Sequence, residues 1–393
     1  MKKKWALFLV IIFMLTSCKL WQKKTPLDDL MVETNAAPYA LDSLSKGNLP
    51  LHKKDIDDMT LRIMLREFGL VDSLIVVYRD QICYEWYFNG YTRHIRHKMC
   101  SVGKSVLSLL TGVIIEKNII ALEEKALDVL AEDYPRDNVQ NYNVLKEMIT
   151  LKTCLKMSSG FSGNELRTPF FLSTGKPNPK NSLIQILSDN DSIGYLLDLP
   201  IITPPGLFFN YNSGEPMLAE AMLEKKTGQN ISTMVEENLF SSCGISSFSW
   251  ETLKDNATAQ DGGLQMHPVD MAQLGRLVLK RGRLNNQQIV SEDWIAKSTS
   301  RQIAVSIPVL DKAVDGYGFY WWRLNDEEVM KYLRVNDVTF AWGFGGQIIL
   351  VCPHLEVVIV STGRNCNGFK DTIKLFKEVF IPLLQAIEES KRI

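Results

Sequence analysis

Strand-like runs cluster at both ends of this chain, and helical runs fill the stretch between them. Near the start, residues 73–78 and 82–88 are rich in β-branched and aromatic side chains, and Arg79-Asp80-Gln81 between them reads as a hairpin turn. Toward the end, residues 317–322, 338–342, 347–352 and 356–361 read as strands, with Pro353-His354-Leu355 turning the chain between the last two. Apolar residues instead recur at helical spacing in 55–68, in the run after Ser101, in 213–226, in 268–280 and in 372–387, where Pro382 predicts a kink. One sheet made from both ends satisfies this pattern. It predicts an α+β fold: an antiparallel sheet built from both ends of the chain, flanked by helices, with a mainly helical region inserted.

The first residues speak to compartment rather than fold. Lys2, Lys3 and Lys4 give a basic start, and residues 6–15 form an apolar run too short to span a bilayer as a helix. Leu15-Thr16-Ser17-Cys18 then closes the run with small residues before a cysteine. This stretch resembles a bacterial lipoprotein signal peptide. The resemblance implies cleavage before Cys18, lipidation of its thiol, and export to the cell envelope as a membrane-anchored lipoprotein. An ordinary signal peptide or a short N-terminal anchor is the alternative, and either way residues 1–17 stand outside the fold. Residues 18–50 are polar and read as a lipidated N-terminus and tether, leaving 51–393 as one domain.

The formal net charge of −1 gives no electrostatic reason to expect a nucleic-acid partner. No apolar run of 18 or more residues follows Cys18, so no second membrane segment is expected. Cys83, Cys100, Cys154, Cys243, Cys352 and Cys366 fit no C-x-x-C metal or redox spacing. Most read as small buried hydrophobes, and the sequence assigns no pairing.

The candidate chemistry starts at Ser101-Val102-Gly103-Lys104. Positions three apart share a helix face, so the lysine amine would lie beside the serine hydroxyl. Serine needs an adjacent base to act as a nucleophile. An amine in an apolar pocket can serve, because burial disfavours its charged form. The S-x-x-K pattern also occurs at Ser43/Lys46 and Ser173/Lys176, but only Ser101 opens an apolar helical run. The alternative reading makes Ser101 an N-cap and Lys104 a surface residue. Two further landmarks are Pro205-Gly206 leading into Tyr211-Asn212-Ser213-Gly214, and Trp342-Gly343-Phe344-Gly345-Gly346-Gln347 between two strand patterns. Tyr211 beside an ammonium could relay protons; by itself it reads equally as a packed aromatic. Glycines within a strand pattern mark a bulge or a close approach to the backbone.

In this order the three landmarks resemble the serine β-lactamase and penicillin-binding-protein superfamily, in its class C-related branch. Residues 155–161 and Asp261-Gly262-Gly263-Leu264 with Pro268 and Asp270 resemble further segments of that family. The resemblance implies that Ser101 forms an acyl-enzyme while Lys104 and Tyr211 share acid–base work. It implies that Ser213 joins the Lys104/Tyr211 network. It also places substrate or oxyanion contacts at Phe344, Gly345, Gly346 and Gln347, with no metal or organic cofactor. Two departures shape the expectation: Tyr-Asn-Ser stands where β-lactamases carry Tyr-x-Asn, and Phe344 stands where a Lys or His would hold a substrate carboxylate. Both bring the chain nearer the 6-aminohexanoate-dimer hydrolase-like side. The expected activity is an exported serine hydrolase acting on a small ester, amide or peptide, its only other partner being the membrane through Cys18. A penicillin-binding D-Ala-D-Ala-type peptidase or β-lactamase is the second reading, and a non-catalytic binding or sensor module the third. His97 and His267 lack motif support and read as structural.

Overall fold

The computed structural model describes residues 39–174, 176–251, 263–305, 314–324, 333, 337–366 and 369–392. Cys18, the 1–17 segment and Asp261-Gly262 lie outside the described residues. In chain order, helix α1 (Lys53–Met64) leads into the hairpin β1 (Val71–Tyr78) and β2 (Gln81–Tyr87), then the short strand β3 (His97–Lys98). The middle holds α2 (Val102–Glu116), α3 (Leu151–Leu155), α4 (Gly214–Thr227), the strands β4 (Phe248–Trp250) and β5 (Leu264–Met266), and α5 (Pro268–Leu279). A small hairpin β6 (Arg283–Leu284) and β7 (Gln287–Gln288) precedes α6 (Glu292–Thr299). The last strands are β8 (Ile303–Ala304), β9 (Val314–Tyr317), β10 (Trp322–Leu324), β11 (Thr339–Gly343), β12 (Gln347–Cys352) and β13 (Val357–Gly363). The chain closes with α7 (Lys370–Leu375), a π-helical turn (Phe376–Phe380) and α8 (Ile381–Ser390).

Eight strands form one antiparallel sheet in the order β2-β1-β13-β12-β11-β10-β9-β8. The two ends of the chain meet where β1 pairs with β13, Ile75 opposite Val360. The α+β expectation is therefore met, and its physical basis is visible: every residue of β1, β11, β12 and β13 is buried. Strands covered on both faces read as continuous apolar runs. Helix α5 packs on β1, β12 and β13, and α2 packs on β11 and α4.

Three local expectations change. Residues 317–322 do not form one strand. The chain turns between β9 and β10, with Gly318 N donating to Trp321 O at 2.7 Å and Tyr320 at φ 61°. A Cβ on Gly318 would sit 2.0 Å from the Ser298 carbonyl oxygen, so the turn is pressed against the end of α6. The closing helix is interrupted by its π turn directly before Pro382, the residue that lacks an N–H. The third concerns the tether. Residues 39–50 are packed, not loose: Leu41 and Leu49 are buried, and the buried Tyr39 meets His267 edge-on at 5.1 Å and bonds His94 Nδ1 at 3.1 Å. Gly47 N donates to Ile82 O and Ile82 N to Ser45 O, both at 3.0 Å, so this segment covers the open edge of β2.

A chain beginning at residue 51 is expected to be less stable than one beginning at residue 39. The loss should be on the order of 5 kcal/mol, from three large side chains at ~2 kcal/mol each. Urea unfolding of the two chains measures it, and equal midpoints would show that the segment adds nothing.

Candidate active site

The site is assembled where α2 begins. Met99 N donates to Leu264 O at 2.8 Å, Cys100 turns through φ 47°, and Ser101 occupies the N-cap position of α2. Its side chain makes no capping hydrogen bond. Instead Lys104 Nζ donates to Ser101 Oγ at 2.8 Å. Residues 102–114 of α2 are all buried, and Lys104 itself is 1 % exposed. The reading of Lys104 as a surface residue therefore falls. A buried amine is costly unless hydrogen-bonded, and here the serine hydroxyl is one of its acceptors.

Tyr211 completes the group. It is buried, its ring stands 5.5 Å from Lys104 Nζ, and it stacks on Trp322 at 5.7 Å. Phe209 packs edge-on against both Tyr317 (5.0 Å) and Trp322 (5.8 Å), so the phenol is held in an aromatic wall. The loop carrying Tyr211 is sewn down on each side. Asn210 N donates to Met157 O at 2.7 Å, and Asn210 Nδ2 donates to the carbonyls of Phe161 and Gly163 at 2.8 Å.

Ser213 departs from expectation. Its Oγ donates to Glu165 Oε2 at 2.9 Å and its backbone N–H to Glu165 Oε1, a carboxylate the expectation did not include. The reason is the helix start: Ser213 is the N-cap of α4, whose first N–H groups need acceptors, and a carboxylate from the facing loop meets one of them. Two residues on, Glu215 is fully buried. Its Oε2 accepts from Ser159 Oγ (2.7 Å) and Ser159 N (3.1 Å), while Oε1 has no hydrogen-bond partner among the described residues. Burial pushes the Glu215 carboxyl up to about 8, against the Ser159 donors that favour its charge.

The glycine turn reaches the same place from the sheet. A Cβ on Gly343 would lie 2.3 Å from the Met99 carbonyl oxygen, so the end of β11 abuts the backbone just before Ser101. Gly345 and Gly346 have φ 93° and 98° and form the turn; Gly346 N is directed to Gly343 O at 3.4 Å, and Gly345 O accepts from Asn365 N at 3.0 Å. The Gln347 side chain ties the turn to β13: its Nε2 donates to Gly363 O at 2.6 Å and to Phe344 O at 3.3 Å. Phe344 is half-buried and meets Phe170 edge-on at 6.0 Å, joining this turn to the loop that carries Glu165.

His97 is buried four residues before Ser101, against Tyr91 at 4.3 Å. Burial, then Arg364, pushes its imidazole down to about 3, so it stays neutral and structural. His267 is buried on Asp270 (3.2 Å) and is likewise structural. Glu165 and Glu215 were not singled out from sequence. Glu165 falls in a loop-rich stretch without periodicity, and the one available signal for Glu215 was its place directly after the Tyr-Asn-Ser-Gly motif.

With this geometry in hand, the profile of the Beta-lactamase family matches residues 69–363. No curated protein matches the chain. Among solved structures, a Bacillus anthracis protein assigned as a 6-aminohexanoate-dimer hydrolase is similar at 21 % identity and TM-score 0.64, over 83 % of this chain and 81 % of its own. One from Bacteroides dorei assigned as a β-lactamase is similar at 18 % and 0.59, over 79 % and 90 %. A penicillin-binding protein homologue from Caulobacter crescentus is similar at 14 % and 0.60, over 91 % and 99 %. At these identities the likeness is one of fold.

Proposed function

This chain belongs to the Beta-lactamase family, and we propose that it is a serine hydrolase cleaving a small, uncharged ester or amide through an acyl-enzyme on Ser101. The observation that carries the reading is the 2.8 Å hydrogen bond from Lys104 Nζ to Ser101 Oγ at the start of an otherwise apolar, buried helix. Ser101 Oγ attacks the carbonyl carbon, and its proton passes to the Lys104–Tyr211 pair. The carbonyl oxygen takes up negative charge, met by the backbone N–H groups of Ser101 and of the strand near Gly346-Gln347. Collapse expels the alcohol or amine, which takes that proton. Water then attacks the acyl carbonyl, loses its proton by the same route, and releases the acid and Ser101.

Phe344 favours a substrate without a carboxylate at that position, because an aromatic ring offers no charge-assisted partner. The Phe170–Phe344 contact presents an apolar surface beside the glycine turn. The Tyr-x-Ser motif in place of Tyr-x-Asn supports a short linear ester or amide over a β-lactam.

Intact mass after exposure to a fluorophosphonate, an activated short-chain ester and a labelled penicillin tests this. The first two are expected to modify the wild type and not Ser101→Ala, and the penicillin to react slowly. Phe344→Lys is expected to raise penicillin acylation about tenfold, the size of one charge-assisted hydrogen bond. Faster acylation of the wild type by penicillin than by the ester would sink the reading in favour of a penicillin-binding one. Placement outside the cytoplasm on a lipidated Cys18 is supported by the stretch from Lys2 to Cys18. Cys18→Ser is expected to abolish incorporation of labelled palmitate, and persistence of the label would overturn that placement.

A further inference from the structure

Glu165 is 2 % exposed, opens a short 3-10 turn (Glu165–Arg167), and is bound to the motif that carries Tyr211 at three points. Its backbone N–H donates to Tyr211 O at 3.1 Å, and its carboxylate accepts the hydroxyl and the backbone N–H of Ser213. Asn181 Nδ2 fixes the loop in turn, donating to the Glu165 and Thr168 carbonyls at 3.3 and 2.6 Å. Glu165 is therefore built in, with its backbone on Tyr211, whose ring faces Lys104, and its carboxylate on Ser213.

Charge gives it a second consequence. Tyr317 of β9 lies in the same buried neighbourhood as Lys104 of α2, Tyr211, Glu215 of α4 and Glu165: burial first, then the last three, oppose ionisation of its phenol, and Lys104 favours it. Glu165 and Glu215 also act on each other. Cys154 of α3 and Tyr320, both buried, border this group. Of these, Glu165 alone places both carboxylate oxygens on the Tyr211–Ser213 segment.

We propose that Glu165 is a positioning residue for the reaction at Ser101: it locks Tyr211 and Ser213 in register and supplies the buried negative charge against which the Lys104–Tyr211 pair works. The inference rests on Ser101 being the nucleophile. It explains why Tyr-x-Ser can stand in for Tyr-x-Asn: the serine hydroxyl serves as the carboxylate's handle rather than as a ligand for the amine.

The test is the rate of fluorophosphonate adduct formation against pH in the full chain, for wild type, Glu165→Gln and Ser213→Ala. Glutamine can keep both contacts, accepting from Ser213 N and donating to Ser213 Oγ, while losing the charge. A nearby anion holds an acid–base pair protonated, so its removal should move the acid limb of the profile down by roughly one pH unit, the order of a single charge in a partly desolvated site. Ser213→Ala removes a donor that shields the carboxylate and should move the limb up. An acid limb unmoved in Glu165→Gln, whatever happens to the maximal rate, overturns the proposal, because a merely structural role changes amplitude alone. Should Glu165→Gln not fold, Ser213→Ala decides by itself: an upward shift supports the proposal and an unmoved limb overturns it. No adduct on the wild type at any pH would instead overturn the nucleophile assignment, and the proposal with it.

Discussion

Removing either Ser101 or Lys104 is expected to lower kcat/KM for an activated ester by about 10⁴ or more, and removing both is expected to cost no further activity. In the proposed mechanism the two side chains act as one unit: Oγ attacks, and the amine 2.8 Å away takes its proton first. Lys104→Met is the informative variant. The amine lies within a helix whose neighbours are buried and apolar, and methionine fills a similar volume without a polar atom to satisfy. The variant should therefore fold with at least wild-type stability, so that lost activity reports chemistry rather than collapse. Steady-state kinetics with thermal melts of Ser101→Ala, Lys104→Met and the double variant provide the measurement. A folded Lys104→Met retaining more than about a tenth of wild-type kcat/KM would show that another group takes the serine proton.

The sequence exposed those parts of the fold that are buried on both sides. Residues 347–352 read as a strand and form β12 at the same bounds, because a fully covered strand has no polar alternation to blur its limits. Boundaries failed where backbone geometry overrides pattern. The aromatic run from Tyr317 to Trp322 looks continuous, yet Gly318 bends it against the Ser298 carbonyl, a contact between residues distant in sequence. The packed segment from Tyr39 to Pro50 was read as tether because its few apolar residues, Leu41 and Leu49 among them, have no periodicity; the sheet edge gives them a place. At the site, Ser101 and Lys104 are legible through spacing, since three of a helical repeat is a local rule, and Tyr211 only through the resemblance of its Tyr-Asn-Ser-Gly motif. Glu165 is not. Its role depends on a loop laid against another loop 48 residues on in the chain, through Ser213, and no local rule encodes that meeting.

Replacing Arg364 by methionine is expected to destabilise the fold by about 3–5 kcal/mol at neutral pH, the cost of leaving a buried charge without its partner. Arg364 donates to both oxygens of Asp72, at 2.8 and 3.0 Å, and Asp72 is fully buried, with Asn89 Nδ2 as a further donor at 3.0 Å. Burial pushes the Asp72 carboxyl up even with Arg364 opposing it, so the variant pushes it higher still. A carboxyl raised in the folded state favours folding in acid, and that contribution is lost as pH rises through its folded value. The deficit of Arg364→Met should therefore shrink as pH falls toward about 4: the raised carboxyl of the folded variant is protonated on the way down, and near that pH the unfolded chain's carboxyl protonates as well. His97 acts in the same direction. Held at about 3 by burial and then by Arg364, it contributes stability above its ordinary value that is lost as pH falls. Without Arg364 this acid penalty is smaller. The pair also braces the glycine turn, since Arg364 N donates to Leu70 O at 2.9 Å and the next residue, Asn365, holds the Gly345 carbonyl. Urea unfolding at the two pH values measures the effect, and Asp72→Asn/Arg364→Met should recover part of the loss by removing the orphaned charge. A deficit below about 1 kcal/mol at neutral pH, or one that does not change with pH, would mean that Asp72 finds another partner or water once Arg364 is gone.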